Sequence, residues 1–313
     1  MKEIWTMGEP ICEIMRPDKK MGLKEPGTFL GPYASGAPAI FIDTAAKLNH
    51  PCGFIGTIGD DDFGACIREK LVKDGVNCEY LSVNKEIATG AAFVAYDNED
   101  ERTFLYHMGN SAAGQIVYPE KMPENIGVFH VMGCSIMPTP YMAQCVIKAV
   151  KECYDNGALI SFDPNIRKEV LKEQDLNELV SPIMERCSIF LPGKEELLLI
   201  SKCDTVEEGA KKLFENPVLK VIVMKDGSRG SRVMTREEDF QVPICKIEPK
   251  DSTGAGDSFD AGFTSAYLQG KSLVECARIA SAAAAMNTAA FGPMEGKITP
   301  EAVQEMMRVN YGE

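Results

Sequence analysis

The chain has 313 residues, with 33 basic and 46 acidic side chains and a formal net charge of −13. An acidic chain without a basic block excludes nucleic acid or an anionic membrane as its main partner, since both are held by clustered Lys and Arg. No stretch is apolar enough to span a bilayer, and the N-terminus, MKEIWTMGEP, lacks the apolar core of a secretory signal. Eleven cysteines without a C-x-x-C pair read as the reduced, mostly buried thiols of a cytoplasmic protein.

Short apolar runs alternate with helical periodicity along most of the chain. A strand is predicted over 4–7, a helix over 39–48, a strand over 52–58 and a helix over 63–73 that Gly75 closes. A buried strand follows at 128–132, then a helix over 141–156 closed by Gly157. Strands at 159–162, 189–191 and 221–224 are separated by helices over 176–186 and 206–215, and the last third reads as helices over 257–269, 272–290 and 300–309. This alternation predicts an α/β fold with a mostly parallel sheet covered on both faces. One region breaks it. Runs at 91–96 and 102–107, joined by the polar residues 97–101, read as a hairpin, and 12–16 and 28–33 are also extended. These pieces predict a small β-sheet, formed by 11–35 and 89–113, inserted as a lid into an α/β domain of 1–10, 36–88 and 114–313.

The strongest chemical signal is DSTGAGDSF, residues 251–259. Phe259, Gly262, Phe263, Ala266 and Tyr267 then follow helical spacing, so a glycine-rich turn feeds into a helix. Free N–H groups and the helix dipole make such a start an anion site. Asp257 falls in its first turn, either as a simple helix cap or as a carboxylate that takes a proton from a nucleophile. Neither G-x-x-x-x-G-K-[ST] nor G-x-G-x-x-G is present.

The longer stretch DSTGAGDSFDAGF, residues 251–263, resembles the C-terminal signature of the ribokinase-like (PfkB) carbohydrate kinases. Ser35-Gly36-Ala37-Pro38-Ala39 resembles that family's sugar-binding turn, GTIGDDDFG at 56–64 resembles the segment after it, and the hairpin matches its β-lid. The resemblance implies a three-layer ribokinase-like sandwich that transfers the γ-phosphoryl group of ATP, with Mg²⁺, to a sugar hydroxyl. It makes Asp257 the base and the N–H groups of Gly254, Ala255 and Gly256 the anion hole. It places Lys225, Gly227 and Gly230 under the nucleotide, with Ser281 and Asn287 on the other wall of the adenine pocket. Glu196 matches the Glu of the N-x-x-E motif, which organises Mg²⁺ indirectly, while Gly193 replaces its Asn. Asp251 and Thr253 resemble a K⁺ site. For the acceptor it points to Glu13, Gly36, Ala37, Asn165, Arg167 and Asp257, with His107 as a further candidate. Ile40 replaces the Asn that normally ends the sugar-binding turn.

Met108 stands where relatives that act on keto acids carry Arg, which favours a neutral ketohexose, tagatose or fructose. The alternatives are a 2-keto-3-deoxygluconate or nucleoside kinase, or a catalytically weak sugar-binding protein. Exposed strand edges favour pairing, so a homodimer through the lid edges is expected.

Overall fold

The computed structural model describes residues 1–18, 20–96, 102–171 and 175–312; the predicted turn at 97–101 lies outside them. In chain order the first half runs β1 (Glu3–Met7), β2 (Ile11–Met15), β3 (Leu30–Ser35), α1 (Ala37–Lys47), β4 (Cys52–Gly59), α2 (Asp62–Asp74), β5 (Leu81–Asn84), β6 (Gly90–Tyr96), β7 (Arg102–His107) and β8 (Ile126–Met132). The second half runs α3 (Pro140–Asp155), β9 (Leu159–Asp163), α4 (Lys168–Leu171), α5 (Leu176–Met184), β10 (Cys187–Phe190), α6 (Lys194–Ser201), α7 (Val206–Leu213), β11 (Val221–Lys225), β12 (Ser231–Met234), β13 (Asp239–Val242), α8 (Ala255–Leu268), α9 (Leu273–Thr288) and α10 (Pro300–Tyr311).

The large sheet has the order β13-β12-β11-β10-β9-β8-β1-β4-β5. Its strands pair in parallel from β5 to β11, and only β12 and β13 are antiparallel. Every residue of β4 and β8 is buried, because helices cover both faces and leave no solvent side to alternate with. Residues of α3, α5, α6 and α7 pack one face around Phe129, Phe162 and Phe190. Residues of α1, α2, α8 and α9 pack the other. The result is the expected three-layer α/β sandwich.

The second sheet has the order β3-β2-β6-β7, with β2 and β6 parallel and the outer pairs antiparallel. The chain leaves the large sheet after β1, builds β2 and β3, and returns at Gly36 to start α1. Alternation fixes what this sheet shows to each side. Glu13 pairs with Ala92, and Ala92 with Tyr106, so these share one face with Phe104; Ile14, Phe93 and Leu105 share the other. The small sheet therefore covers the start of α8 with Glu13, Phe104 and Tyr106.

Three short strands, β5, β12 and β13, and the helices α4 and α6 escape the sequence pattern. At four residues each, with mixed exposure, the strands are too short to show a period. Among the described residues no helix is long and apolar enough to cross a membrane. All eleven cysteines are free, and nine are buried.

Candidate active site

The glycine turn before α8 has the geometry of an anion cradle. The helix begins at Ala255, two residues earlier than its periodicity predicts, so Gly254 is its N-cap. Gly254 has φ +77°, and a Cβ there would meet the Pro293 carbonyl at 2.8 Å and the Asn287 amide and Ile40 side chain at 2.9 Å. Only glycine fits; Ala255, the first residue of α8, donates its N–H to the Ser252 carbonyl at 3.3 Å, and the turn brings backbone and the positive end of the helix together. Gly36 plays a similar part at α1, where φ is +103° and a Cβ would run into the Glu9 carbonyl.

Asp257 sits in the first turn of α8, only 7% exposed. The Asn165 amide donates to its Oδ1 at 3.2 Å. Burial pushes the Asp257 carboxyl up to about 7, the Asp163 carboxylate adds to this, and Arg167, Lys225 and Arg102 pull it back. A carboxyl poised near neutrality beside an anion cradle is suited to accept a proton.

Asp257 opens onto a tight cleft of about 50 Å³ beneath the small sheet, lined also by Glu13, Gly36, Ala37, Ile40 and Arg167. Glu13 is buried; Ser35 Oγ donates to its Oε1 at 2.7 Å, and burial pushes its carboxyl up to about 7. The guanidinium groups of Arg102 and Arg167 lie 5.7 and 5.8 Å from the Phe104 ring centroid. Met108 lines the same cleft.

On the far side of the cradle lies an open groove of about 470 Å³, lined by Lys225, Gly227, Gly230, Ser281 and the apolar Ile244, Ile247, Phe259, Ala284 and Ala285. Ser281 Oγ accepts the Cys245 N–H at 2.8 Å and fixes one wall. Between groove and cleft, Lys225 Nζ donates to Asp163 Oδ2 at 2.7 Å and to Asp260 at 3.0 Å. Burial alone would push the Lys225 ammonium down, but the two carboxyls outweigh it and hold it charged. Burial drives the Asp260 carboxyl well above the usual carboxylate range, while at Asp163 the charge of Lys225 and the hydrogen bonds of Lys225 and Asp260 together overcome desolvation and hold the carboxyl below it.

Most sequence-predicted residues converge here, and three are placed differently. Asn287 does not reach the groove: it is buried in α9, and its amide donates to the Thr253 carbonyl at 2.8 Å, pinning the glycine turn. Asn165 does not line the cleft and touches Asp257 instead. His107 lies on the opposite face of β7 from Tyr106, its ring edge-on to Phe93 at 6.1 Å. Glu196 uses both oxygens locally, accepting the N–H groups of Ile166 at 2.9 Å and Gly193 at 2.7 Å. Asp251 accepts from Tyr96 OH, Thr253 N–H and Gly292 N–H. Glu9 and Arg102, which no motif marks, also stand here, and so does Asp260, which lies inside the 251–263 signature without a role assigned to it.

The model of the pfkB family carbohydrate kinases matches residues 21–300. A fructokinase of Klebsiella pneumoniae is 28% identical over 265 residues, covering 83% of this chain and 82% of that protein. An E. coli protein described as a ribokinase II, solved with ATP and Mg²⁺, is 34% identical and superposes with a TM-score of 0.92 over 99% of this chain and 100% of that one. A fructokinase from Vibrio cholerae O395, solved with fructose, ADP and calcium, superposes at 0.85 over 98% and 99% with 23% identity, a likeness of fold. A family pattern that runs through nearly the whole length, over a fold shared end to end, leaves one conclusion: the chain belongs to the pfkB family of carbohydrate kinases and is a sugar kinase.

Proposed function

We propose that this kinase phosphorylates a hydroxyl of a neutral ketohexose, fructose or tagatose, at the expense of Mg²⁺-ATP. The observation that carries the reading is the buried Asp257 carboxyl, which sits between the glycine cradle and the cleft and is pushed up to about 7. Fructokinases among the relatives support the ketose, as does Met108, which cannot grip a carboxylate. The test is a coupled ADP-release assay with Mg²⁺-ATP against D-fructose, D-tagatose, D-ribose, 2-keto-3-deoxygluconate and adenosine. A neutral ketose is expected to give the highest kcat/KM, and silence with both ketoses would sink the reading.

The residues fit the nucleotide. The apolar groove suits a flat base, and the Gly254 position, which a Cβ would fill, suits close approach of phosphate. Among the described residues no cluster of three metal-ligating side chains exists, which fits a Mg²⁺ that arrives on the nucleotide and keeps its waters. Glu196 then acts indirectly, by fixing the Ile166 and Gly193 backbone. When bound, Mg²⁺-ATP supplies the phosphoryl group. Asp257 takes the proton of the attacking hydroxyl, and the N–H groups of Gly254, Ala255 and Gly256 stabilise charge that develops during transfer. Gly36, Ala37, Glu13 and Arg167 orient the acceptor, and segments 11–35 and 89–113 close over it and exclude water. The oxygen-rich corner of Asp251 and Thr253 suits K⁺, checked by running the assay with K⁺ or Na⁺ as the only added monovalent cation.

A second reading has one observation in its favour. Arg102 and Arg167 both reach the cleft, and a guanidinium pair also suits the carboxylate of a keto acid. The 2-keto-3-deoxygluconate arm of the assay decides between them. The small sheet ends in the edge strands β3 and β7, and β7 carries a half-exposed Leu105; we infer that two copies pair through these edges, as light scattering of a Leu105→Lys variant would test. The eleven free thiols suit a reducing compartment, the cytoplasm.

A further inference from the structure

Glu9 lies on the short crossing from β1 to β2, where the chain leaves the large sheet for the small one. It is 3% exposed, yet it lines the acceptor cleft with Cys134, Arg167 and Met108. Its Oε1 accepts from the Cys134 thiol at 3.0 Å, while Oε2 is buried and has no hydrogen-bond partner among the described residues. Glu13 repeats this arrangement at another part of the same cleft, with Oε1 anchored by Ser35 and Oε2 unpartnered. A buried carboxyl kept for packing alone has both oxygens satisfied, since an orphaned one is costly. Here two carboxyls each hold one oxygen on a protein donor and, among the described residues, leave the other without a hydrogen bond, open to a donor that enters the cleft; beside Glu9 the Ser135 hydroxyl is likewise buried without a bond. Burial pushes the Glu9 carboxyl up, while the neighbouring Ser135 hydroxyl, the Cys134 thiol and the Arg167 charge oppose this, and in either protonation state an acceptor site remains.

We propose that Glu9 is a specificity-determining residue of the acceptor site, whose Oε2 accepts a hydrogen bond from a sugar hydroxyl other than the one phosphorylated. That hydroxyl lies toward Cys134 and Arg167, and Glu13 reads a different one near Ser35. The assignment rests on the ketose reading. It deepens that reading by naming a second carboxyl that must be matched. A site built this way rejects an analogue lacking the hydroxyl, because the buried oxygen is then left unpaired.

The experiment compares wild type, Glu9→Gln and Glu9→Asp with D-fructose, D-tagatose and the monodeoxy fructoses. Sugar-induced and Mg²⁺-ATP-induced shifts in Tm are recorded for each protein. The contact exists before and during transfer, so Glu9→Gln should raise the KM for the ketose about 10- to 100-fold and leave kcat nearly unchanged. One monodeoxy analogue should be poor with wild type and no worse than the parent ketose with Glu9→Gln. Glu9→Asp, which keeps the charge but shortens the reach, should show the same selective loss; it serves if the Gln variant loses its Mg²⁺-ATP shift. A folded Glu9 variant with wild-type KM and the wild-type ranking of deoxy sugars overturns the proposal alone. A wild type that neither turns over nor is stabilised by any ketose overturns the ketose reading and the proposal with it.

Discussion

The acceptor cleft and the nucleotide groove meet at one glycine turn, yet they are built in opposite ways. The cleft holds about 50 Å³ and is ringed by Glu9, Glu13, Asp257, Arg102 and Arg167. The groove holds about 470 Å³ and is walled by Ile244, Ile247, Phe259, Ala284 and Ala285. Charges taken out of water in a small space act strongly on one another and on whatever enters. Apolar walls and backbone act through area, which many residues share. The cleft should therefore respond to single substitutions by orders of magnitude, and the groove by small factors.

The largest effect is expected at Asp257. Asp257→Asn keeps the shape and removes the base, so kcat should fall on the order of 10²–10⁴-fold. For wild type, kcat/KM should fall about tenfold per pH unit below a midpoint near 7, where the carboxyl takes up its proton. Stability should move the other way. The folded-state value near 7 lies above the unfolded one, about 3.9, so between them the native state holds a proton that the unfolded chain has lost. The contribution of Asp257 to stability thus declines as pH rises from about 4 to 7 and stays low above that. The Asn variant should match wild type in Tm near pH 4 and equal or exceed it at pH 8. A Tm loss at pH 8 would mean that the carboxylate is structural.

Lys225 joins the two regions, and its removal comes next. Lys225→Met leaves Asp163 and Asp260 buried without their cation, and losing one partner of a buried ion pair costs about 3–5 kcal/mol. Thermal unfolding measures this. The lysine also favours the charged form of Asp257, so its loss should move the acid limb of kcat/KM to higher pH. Lys225→Arg should recover part of both. An unmoved limb in a folded Met variant would mean that the carboxyl pair takes up a proton when the lysine goes.

The same contrast explains what could be read from the sequence. Strands buried on both faces, such as β4 and β8, announce themselves as apolar runs, and a glycine turn that opens a helix is contiguous, so the Gly254–Asp257 cradle is legible. The cleft is not contiguous. Lys225 meets Asp163 across 62 residues and Asp260 across 35, and no local period encodes such a meeting. Asn287 shows the limit within one helix: an alanine-rich pattern tells that it is helical but not that it faces Thr253, 34 residues earlier. Met108 shows another. Its identity removes an arginine from one position, while Arg102 brings a guanidinium to the same cleft from the start of β7.

Ser281 carries the smallest expected effect and the sharpest check on the groove. Its Oγ holds the Cys245 N–H at 2.8 Å, beside Ile244 on the groove wall. Ser281→Ala leaves that buried N–H unpaired, a loss of about 1–3 kcal/mol in stability. The apolar area and the backbone at Gly227 and Gly230 are untouched, so the KM for ATP should rise only about 2- to 5-fold, within the share one side chain has in such a surface. The KM for the sugar and the pH midpoint should not move, because neither Asp257 nor the carboxyls of the cleft gain or lose a neighbour. Steady-state kinetics at varied ATP measure this. A 100-fold rise would show that the groove, too, depends on a single polar anchor, and the division between a charged cleft and a tolerant groove would fail there.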